Sequence, residues 1–507
     1  MISTLNVLIL EDHQKWQAEL RRALKEIEGP LRVDVADSLA GGLSLIDQHG
    51  YDLVTVDLEL TDGENGLQLI DRLLNNPVNR DVALLVVTGK FTADRIYTVL
   101  RDYRDYDIID KESYSSERLL AAARAALLGA RLRRAARRDS ERYRLTISFG
   151  REHWLGSDLH GARTGSYRAE RPLPLDAADL TSRADRVNLL LFSGASTTWR
   201  EEAKSVGKAT FAALQMDRRI AADLDRARAL SDARNPLRLE LSGPSAGLGV
   251  PFELMFDGNE YLCLDTVLTR KLAQEELPLT RKTEPFSTFL ADLSKKGEAL
   301  RLLLVGANTD GKIPLAETEV SELVKEIGVE VRRLGLHSQV DVLSGTAATW
   351  ETVRDRLRNG FYHIFHYAGH GRFADKLPEV SGLMLSHGES SRVLTAADLK
   401  LLVSGTSLRF VFLSCCLGAR TAAHAGRGEF QGILEALARA DVPAVLGYRW
   451  TVGDEVALEL ARCFYSALWK DLSPGLALLE ARKFTSMGPL GRDGEAWASP
   501  ILLSQSS

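Results

Sequence analysis

Two sets of residues in this 507-residue sequence have the types and positions that chemistry needs. The first is Glu11, Asp12, Asp57, Thr88 and Lys111. The apolar runs at 6–10, 52–57 and 83–89 read as strands buried on both faces. Glu11 and Asp12 follow the first run, Asp57 and Thr88 end the other two, and Lys111 follows the apolar pair Ile108-Ile109. Three carboxylates at neighbouring strand ends repel one another unless a cation neutralises them, and hard oxygen donors suit Mg2+. A hydroxyl and an ammonium beside them could hold a transferred phosphoryl group. The second set is His370, in YAGHG, and Cys416, at the end of RFVFLSCC (409–416). If their strands are neighbours, an imidazole and a thiol meet at one rim, as nucleophilic attack on a carbonyl requires. The amides of Gly371 and Cys416 could then form an oxyanion hole.

The elements that must position these residues follow from hydrophobic period. Over 1–125, strand runs (6–10, 31–37, 52–57, 83–89) alternate with helical patterns around 17–27, 39–48, 66–75 and 93–103. That alternation predicts a doubly wound parallel sheet, with its chemistry at the carboxyl ends of the strands. Residues 116–144 read as one long helix carrying Arg131, Arg133, Arg134, Arg137 and Arg138. A basic run can meet nucleic acid, but a solvated connecting helix is the expectation here, and no helix-turn-helix pattern follows.

Beyond it, 144–149, 186–194 and 237–243 read as strands, followed by 249–258 and 261–272. Residues 198–228 read as a helical stretch broken at Gly207, and 278–297 as a polar linker. A second alternating unit then runs to the end. It includes strands 300–308, 340–345, 361–371, 409–416, 442–450 and 499–504. Its helix 317–328 has acids in the first turn, which suits the helix dipole. His363 and His366 have opposite strand parity, so they form no shared metal site, and His366 is expected to be a packed core residue. Cys263 and Cys463 are expected to be inert small hydrophobes.

Composition narrows the class. The chain is 45% hydrophobic and 26% charged, with a net charge of −5. That leaves enough apolar material for real cores and gives no whole-chain sign of nucleic-acid binding. Four cysteines without a CxxC pair make no disulfide framework. The opening MISTLNVLILEDHQ reads as a first strand rather than a signal peptide, and no apolar stretch approaches membrane-spanning length. The expectation is a cytoplasmic protein.

The set Glu11-Asp12, Asp57 in VDLELTDGENG, Thr88 and Lys111 in DK resembles a response-regulator receiver domain over roughly residues 3–128. The resemblance implies Asp57 as phospho-acceptor, Glu11, Asp12 and Asp57 around Mg2+, Thr88 and Lys111 as phosphoryl contacts, and a histidine kinase or other phosphodonor as partner. It also allows a homodimer through the receiver. Glu112 stands where the family has a proline and Ile108 where it has an aromatic switch residue.

HIFHYAGHGRF, VFLSCCLGA, the stretch from GEFQGILEALARAD to RWTVGDEVA and, earlier, GVPFELMFDG resemble a CHAT domain, a caspase-like peptidase, over about 145–507. This implies a Cys–His dyad and peptide-bond hydrolysis of a protein substrate, with His370 as the histidine and Cys416 as the cysteine; adjacent Cys415 is the alternative. The family's acidic-Thr-Gly after the cysteine is Leu417-Gly418-Ala419 here. RWTVGDE is similar to the segment lining the first specificity pocket of separase-like members, which implies Asp454 as the acid receiving Arg or Lys before the scissile bond. Asp454 could instead cap a helix.

The expected fold is α/β: a doubly wound receiver (1–128), a helical connector (129–143), a pseudo-caspase-like subdomain (144–296) and a caspase-like α/β sandwich (297–507). The expected function is a phosphorylation-regulated cysteine endopeptidase, with a receiver-controlled interaction module on an inactive peptidase fold as the alternative.

Overall fold

The computed structural model describes the chain apart from residues 1, 62–64, 77, 90–106, 142–143, 150–154, 161–166, 169–178, 181, 184–185, 188–189, 191–195, 234, 245–246, 274–276, 278–283, 373–379, 418–428, 451, 489–495 and 506–507. The helical pattern expected over 93–103 lies outside the described residues.

The first unit is a five-stranded parallel sheet in the order β2-β1-β3-β4-β5. Its strands are β1 (Leu5–Leu10), β2 (Leu31–Ala36), β3 (Leu53–Val56), β4 (Ala83–Thr88) and β5 (Asp107–Asp110). Helices α1 (Gln14–Leu24), α2 (Leu39–Gln48) and α3 (Leu67–Asn75) cover it. The order reverses at β1/β3, and at such a crevice an open sheet places its chemistry.

Helix α4 (Ser116–Glu141) leaves this unit as the continuous helix that the sequence predicts. Its arginines are not the solvated face expected of them. Arg131 is buried and donates to the Trp469 carbonyl at 2.6 Å. Arg133 reaches the Val82 carbonyl, and Arg137 pairs with Asp81. Arg131 thus ties the helix to the second unit, while Arg133 and Arg137 tie it to the first.

The second unit is one mixed sheet. With β6 (Arg144–Phe149), β7 (Leu155–His160), β8 (Tyr167–Arg168), β9 (Arg238–Gly243), β14 (Gly382–His387) and β15 (Ser390–Thr395), its main path is β12-β11-β13-β16-β17-β18-β10-β9-β6-β7-β8, and the hairpin of β14 and β15 attaches to β13. Its central strands are β11 (Leu300–Ala307), β12 (Ser338–Ser344), β13 (Ile364–Arg372), β16 (Phe410–Leu417), β17 (Ala444–Tyr448) and β18 (Pro500–Ser504). The last strand runs antiparallel to β17 and parallel to β10 (Val267–Leu272). It thereby joins the strands of 144–296 to those of 297–507 in one sheet.

Several elements differ from the sequence reading. The stretch 198–228 breaks not at Gly207 but at Asp217, whose carboxylate caps α6 (Arg218–Ala229) by accepting from the Arg219 and Ile220 amides. Gly207 sits inside α5 (Ser196–Gln215) because a Cβ there would lie 1.9 Å from the Leu254 carbonyl oxygen. The described residues Arg186, Val187 and Leu190 are helical, not part of a strand. Much of 249–264 forms short 3-10 turns. The supposed linker contains α7 (Phe286–Lys296), which buries Phe286, Phe289, Leu290 and Leu293 and ends on Gly297 at φ +66°. Its apolar stripe was masked by a polar average.

After α8 (Leu315–Arg333) come α9 (Trp350–Asn359), α10 (Ala396–Val403) and α11 (Glu429–Arg439); α8 and α12 (Asp454–Asp471) cover one face of the central strands. α4 packs against α7, α8 and α12, so receiver residues such as Val7, Ile9 and Leu119 share one core with Val320, Leu323 and Leu460. At the far end of α8, Arg333 is buried and donates to the carbonyls of Ser3 (2.7 Å), Glu28 and Pro30 (3.1 Å). Glu330 accepts from the Ser3 amide and hydroxyl, both at 3.0 Å.

Candidate functional site

The receiver rim brings the predicted set together. Glu11, Asp12 and Asp57 each offer a carboxylate oxygen within 4.8 Å of the others. Glu11 is fully buried and Asp57 nearly so. Lys111 Nζ lies 2.6 Å from Glu11 Oε2 and 2.6 Å from Asp57 Oδ2. Burial pushes the Glu11 carboxyl above its ordinary range, opposed by Lys111 and assisted by Asp57. One ammonium against three acids leaves the cluster acidic, and an all-oxygen set with room for waters fits a hard divalent cation. Thr88 is buried at the next strand end, and its hydroxyl has no hydrogen-bond partner among the described residues. Gly66 allows the close approach here, since a Cβ would fall 2.0 Å from the Asp57 carbonyl oxygen. Ile108 is half-buried against the α2–α3 side of the core. The sequence reading missed Trp16, whose ring lies under Lys111 Nζ at 5.3 Å.

At the second rim, β13 and β16 are adjacent and parallel, and their register sets His370 opposite Cys416. Strand alternation places 366, 368 and 370 of β13 on one face with 412 and 414 of β16. Cys415 falls on the other face, fully buried in the core with Val411 and Leu413. Gly371 lies in β13, in register with both Leu383 of the hairpin and Leu417.

His370 is 8% exposed, and its Nε2 lies 2.9 Å from Asp310 Oδ1 in the loop after β11. A carboxylate only accepts, so the shared hydrogen sits on Nε2 and Nδ1 is left as the basic nitrogen. Nδ1 is buried without a hydrogen-bond partner among the described residues. Asp310 is held below its ordinary range: burial pushes it up, but the bonds from His370 and the Lys312 amide outweigh that. The Tyr367 hydroxyl shares its one proton between the carbonyls of His370 (2.9 Å) and Met384 (2.7 Å), bracing the end of β13 that carries the imidazole. Asp310 was absent from the sequence reading. The rule that found Asp57, a polar residue just past a strand end, applies equally to Asp310 in ANTDGK.

Near His370, a small pocket of about 10 Å³, room for about one water, is lined by residues including Ala368, Gly369, Ser414, Glu319 and Asp454. Ala368 and Ser414 lie two residues before His370 and Cys416, about 7 Å along the strands. Asp454 is the first residue of α12; the N-cap is Gly453, so Asp454 does not serve as the cap. Burial raises its carboxyl above the ordinary range, with the His370 charge opposing. Glu319, which the sequence reading counted among first-turn acids serving the helix dipole, points inward and is 3% exposed.

The other candidates do not join a site. His366 is buried against Phe412 and Tyr465, as a core residue should be, yet it also lies 3.0 Å from Glu319. His363 Nδ1 accepts from the Arg301 amide, and burial together with Arg409 and Arg301 lowers the imidazole to about 4. Burial pushes the Cys263 thiol up to about 12 and that of Cys463 to about 11, which leaves both unreactive.

The fold and its two rims define a receiver joined to a peptidase-like α/β sheet. A family model of the response regulator receiver domain matches residues 7–124, and a model of the CHAT domain matches residues 210–505. The second match covers more than half of the chain, which therefore belongs to the CHAT family, a group related to caspase-like cysteine peptidases, and carries a receiver domain ahead of it.

The chain is 31% identical over 97 residues to the transcriptional regulatory protein MalR of Bacillus subtilis; that match spans 19% of this chain and 40% of the relative. Among solved structures, the signal receiver domain of an HD domain-containing protein from Pseudomonas fluorescens is 20% identical (TM-score 0.23). It covers 25% of this chain and 98% of that one. A receiver domain protein from Methanospirillum hungatei is 21% identical (TM-score 0.23), covering 25% and 97%. No helix among the described residues is long and apolar enough to cross a membrane.

Proposed function

We propose that this chain is a cysteine endopeptidase whose receiver domain controls it, and that it cleaves protein substrates after Arg or Lys. The observation that carries this reading is the register of His370 against Cys416, with Asp310 fixing the far side of the imidazole. His370 takes the thiol proton, and the Cys416 thiolate attacks the scissile carbonyl carbon. The carbonyl oxygen becomes an oxyanion, for which the amides of Gly371 and Cys416 are the candidate donors. His370 then returns the proton to the departing amine, leaving an acyl-enzyme. Water, deprotonated by the same imidazole, releases the acid and restores the thiol. Asp310 holds the tautomer throughout and favours the imidazolium when it forms. Asp454, beside the reacting pair, supplies the charge that a basic side chain would meet.

Receiver control is supported by α8. One end of this helix lines the pocket through Ala316 and Glu319, while the other end grips the receiver through Glu330 and Arg333. In the receiver, Asp57 would accept the phosphoryl group, with Thr88 and Lys111 contacting its oxygens. Glu11, Asp12 and Asp57 would hold Mg2+, which neutralises charge on the transferring group. The direct test measures cleavage of a peptide library by the full chain, by Cys416→Ala and by Cys415→Ala, with and without Mg2+ and a small phosphodonor. Full activity in Cys416→Ala would discard the dyad. A preference for Asp over Arg would discard the pocket. Rates indifferent to the phosphodonor would leave two functions merely tethered.

A further inference from the structure

Arg131, on the helix that leaves the receiver, closes a helix of the other unit. α12 begins with Asp454 at the CHAT rim and ends with Asp471. Its last backbone bond runs from the Leu472 amide to the Leu468 carbonyl at 2.7 Å, so the carbonyls from Trp469 onward need other donors. Helices commonly find them by turning back on a left-handed glycine. Here the left-handed residue is Leu472, at φ +51°, held by a buried side chain. The Trp469 carbonyl takes the Arg131 guanidinium at 2.6 Å. Arg131 is 5% exposed, and Glu330 Oε2 lies 3.9 Å from it. A guanidinium there meets both an orphan carbonyl and the negative end of the α12 dipole. Toward its other end, α4 comes back to the receiver rim. Lys111, 2.6 Å from Asp57, opens the short 3-10 turn Lys111–Ser113, and α4 begins at Ser116. Tyr114, between them, packs edge-on against Trp16, whose ring lies under Lys111. At 1.5 Å per residue, about 22 Å of continuous helix separates Ser116 from Arg131, and about as much of α12 separates Trp469 from Asp454.

We propose that Arg131 is the residue through which the receiver's state reaches α12, and so the rim that carries Asp454. A displaced α4 draws the guanidinium off the Trp469 carbonyl and loosens the end of α12. The inference deepens the receiver-control reading above and rests on it, naming a route separate from the Arg333 contact of α8. A phosphoryl group on Asp57 competes for Lys111, which now bridges Glu11 and Asp57, and shifts the turn from which α4 springs. A modification moves an equilibrium only through contacts that differ between two states. Arg131 offers such a contact, because a buried hydrogen bond to a charged group is strong when made and costly when left unmade.

Because continuity in space is not coupling, the test reads α12 itself. It is hydrogen exchange of the full chain, followed by mass spectrometry on peptides from α12, α8 and the receiver, in Mg2+ with and without acetyl phosphate. That reagent transfers its phosphoryl group to the Asp57 carboxylate and leaves as acetate. In the wild-type chain it is expected to speed exchange in the last turn of α12 on the order of 10-fold, the scale of losing one hydrogen bond to a charged group. Arg131→Met keeps the bulk and drops the donors. It should exchange there at the fast rate with or without the reagent, while the receiver peptides still respond. Arg131→Lys keeps a charged donor and should restore part of the difference, so it carries the test if the Met variant does not fold. A full α12 response in Arg131→Met makes the residue a packing element only and overturns the inference. An α12 that ignores acetyl phosphate in the wild-type chain, while the receiver responds, also overturns it. So does loss of the α12 response in Arg333→Ala but not in Arg131→Met, which would give the signal to α8. If no receiver peptide responds and the intact mass shows no phosphoryl group, the receiver reading falls and takes the inference with it. An Arg131-dependent response without any peptide cleavage upholds the inference and overturns the peptidase reading instead.

Discussion

At the receiver rim, Lys111 bridges Glu11 and Asp57 at 2.6 Å each. At the CHAT rim, Glu319 and Asp454 share a pocket without a lysine or arginine among the described residues of its lining. Both sites stand at the carboxyl ends of parallel strands, yet the charge is handled in opposite ways. The receiver carries its own cation, Lys111, which offsets part of the charge of Glu11 and Asp57. The CHAT pocket holds no such ammonium among the described residues; Glu319 is met by His366 at 3.0 Å and Ser414 at 3.1 Å instead. Beside it, His370 pairs with Asp310 at 2.9 Å. One rim thus sets a lysine against its acids, and the other sets histidines against its own.

The largest expected effect breaks the nucleophilic side of this contrast. Cys416→Ala and His370→Ala should each lower kcat on the order of 10⁴-fold, with the circular dichroism spectrum unchanged. Cys415→Ala should keep most activity, because Cys415 lies in the core on the opposite face. On the receiver side, Asp57→Asn should abolish acid-labile labelling by a small phosphodonor with Mg2+; labelling that survives would move the acceptor elsewhere. Next comes the pocket. Asp454→Asn should lower kcat/KM for Arg peptides about 10²-fold, the scale of losing one partner of a buried charge pair. Its carboxyl sits above the ordinary range, and only the ionised form attracts a cation. Acidification should therefore reduce kcat/KM from a pH above the usual carboxylate range of about 3.9, and this limb should vanish in Asp454→Asn.

Asp310→Asn sharpens the comparison further. Asp310 is more exposed than His370, so its removal should cost kcat about 10-fold, well short of the loss when a buried orienting acid is removed. A shifted pH profile would separate tautomer control from mere packing. The smallest effect concerns the joint. Arg333→Ala leaves three receiver carbonyls without their donor and should destabilise the chain by about 1–3 kcal/mol in denaturant titration. If receiver control runs through α8, the same change should blunt the response of peptidase rate to phosphodonor.

The strand-end residues were legible because a strand end is a local fact: an apolar run stops and a polar residue follows. That is how Asp57, Thr88, His370 and Cys416 could be picked out in advance. The misreadings have local causes too. Gly207 looked like a helix breaker but exists for the approach of the Leu254 carbonyl, and 278–297 averaged as polar while hiding the apolar stripe of α7. The arginines of α4 looked solvated because the sequence does not show what a helix will lie against.

By itself, then, the sequence determined the periodicities, and through them the parallel sheets, the chemistry-bearing residues at their ends and the long helix between the units. Tertiary structure alone decided the partnerships: Asp310 with His370 across 60 residues of chain, Glu319 with Ser414 across 95, and Arg333 with Ser3 across 330. The physical reason is that period and propensity act within a few residues, whereas an ion pair depends on distance in space. Such pairings exist only once β11, β13 and β16 lie side by side and α8 crosses them.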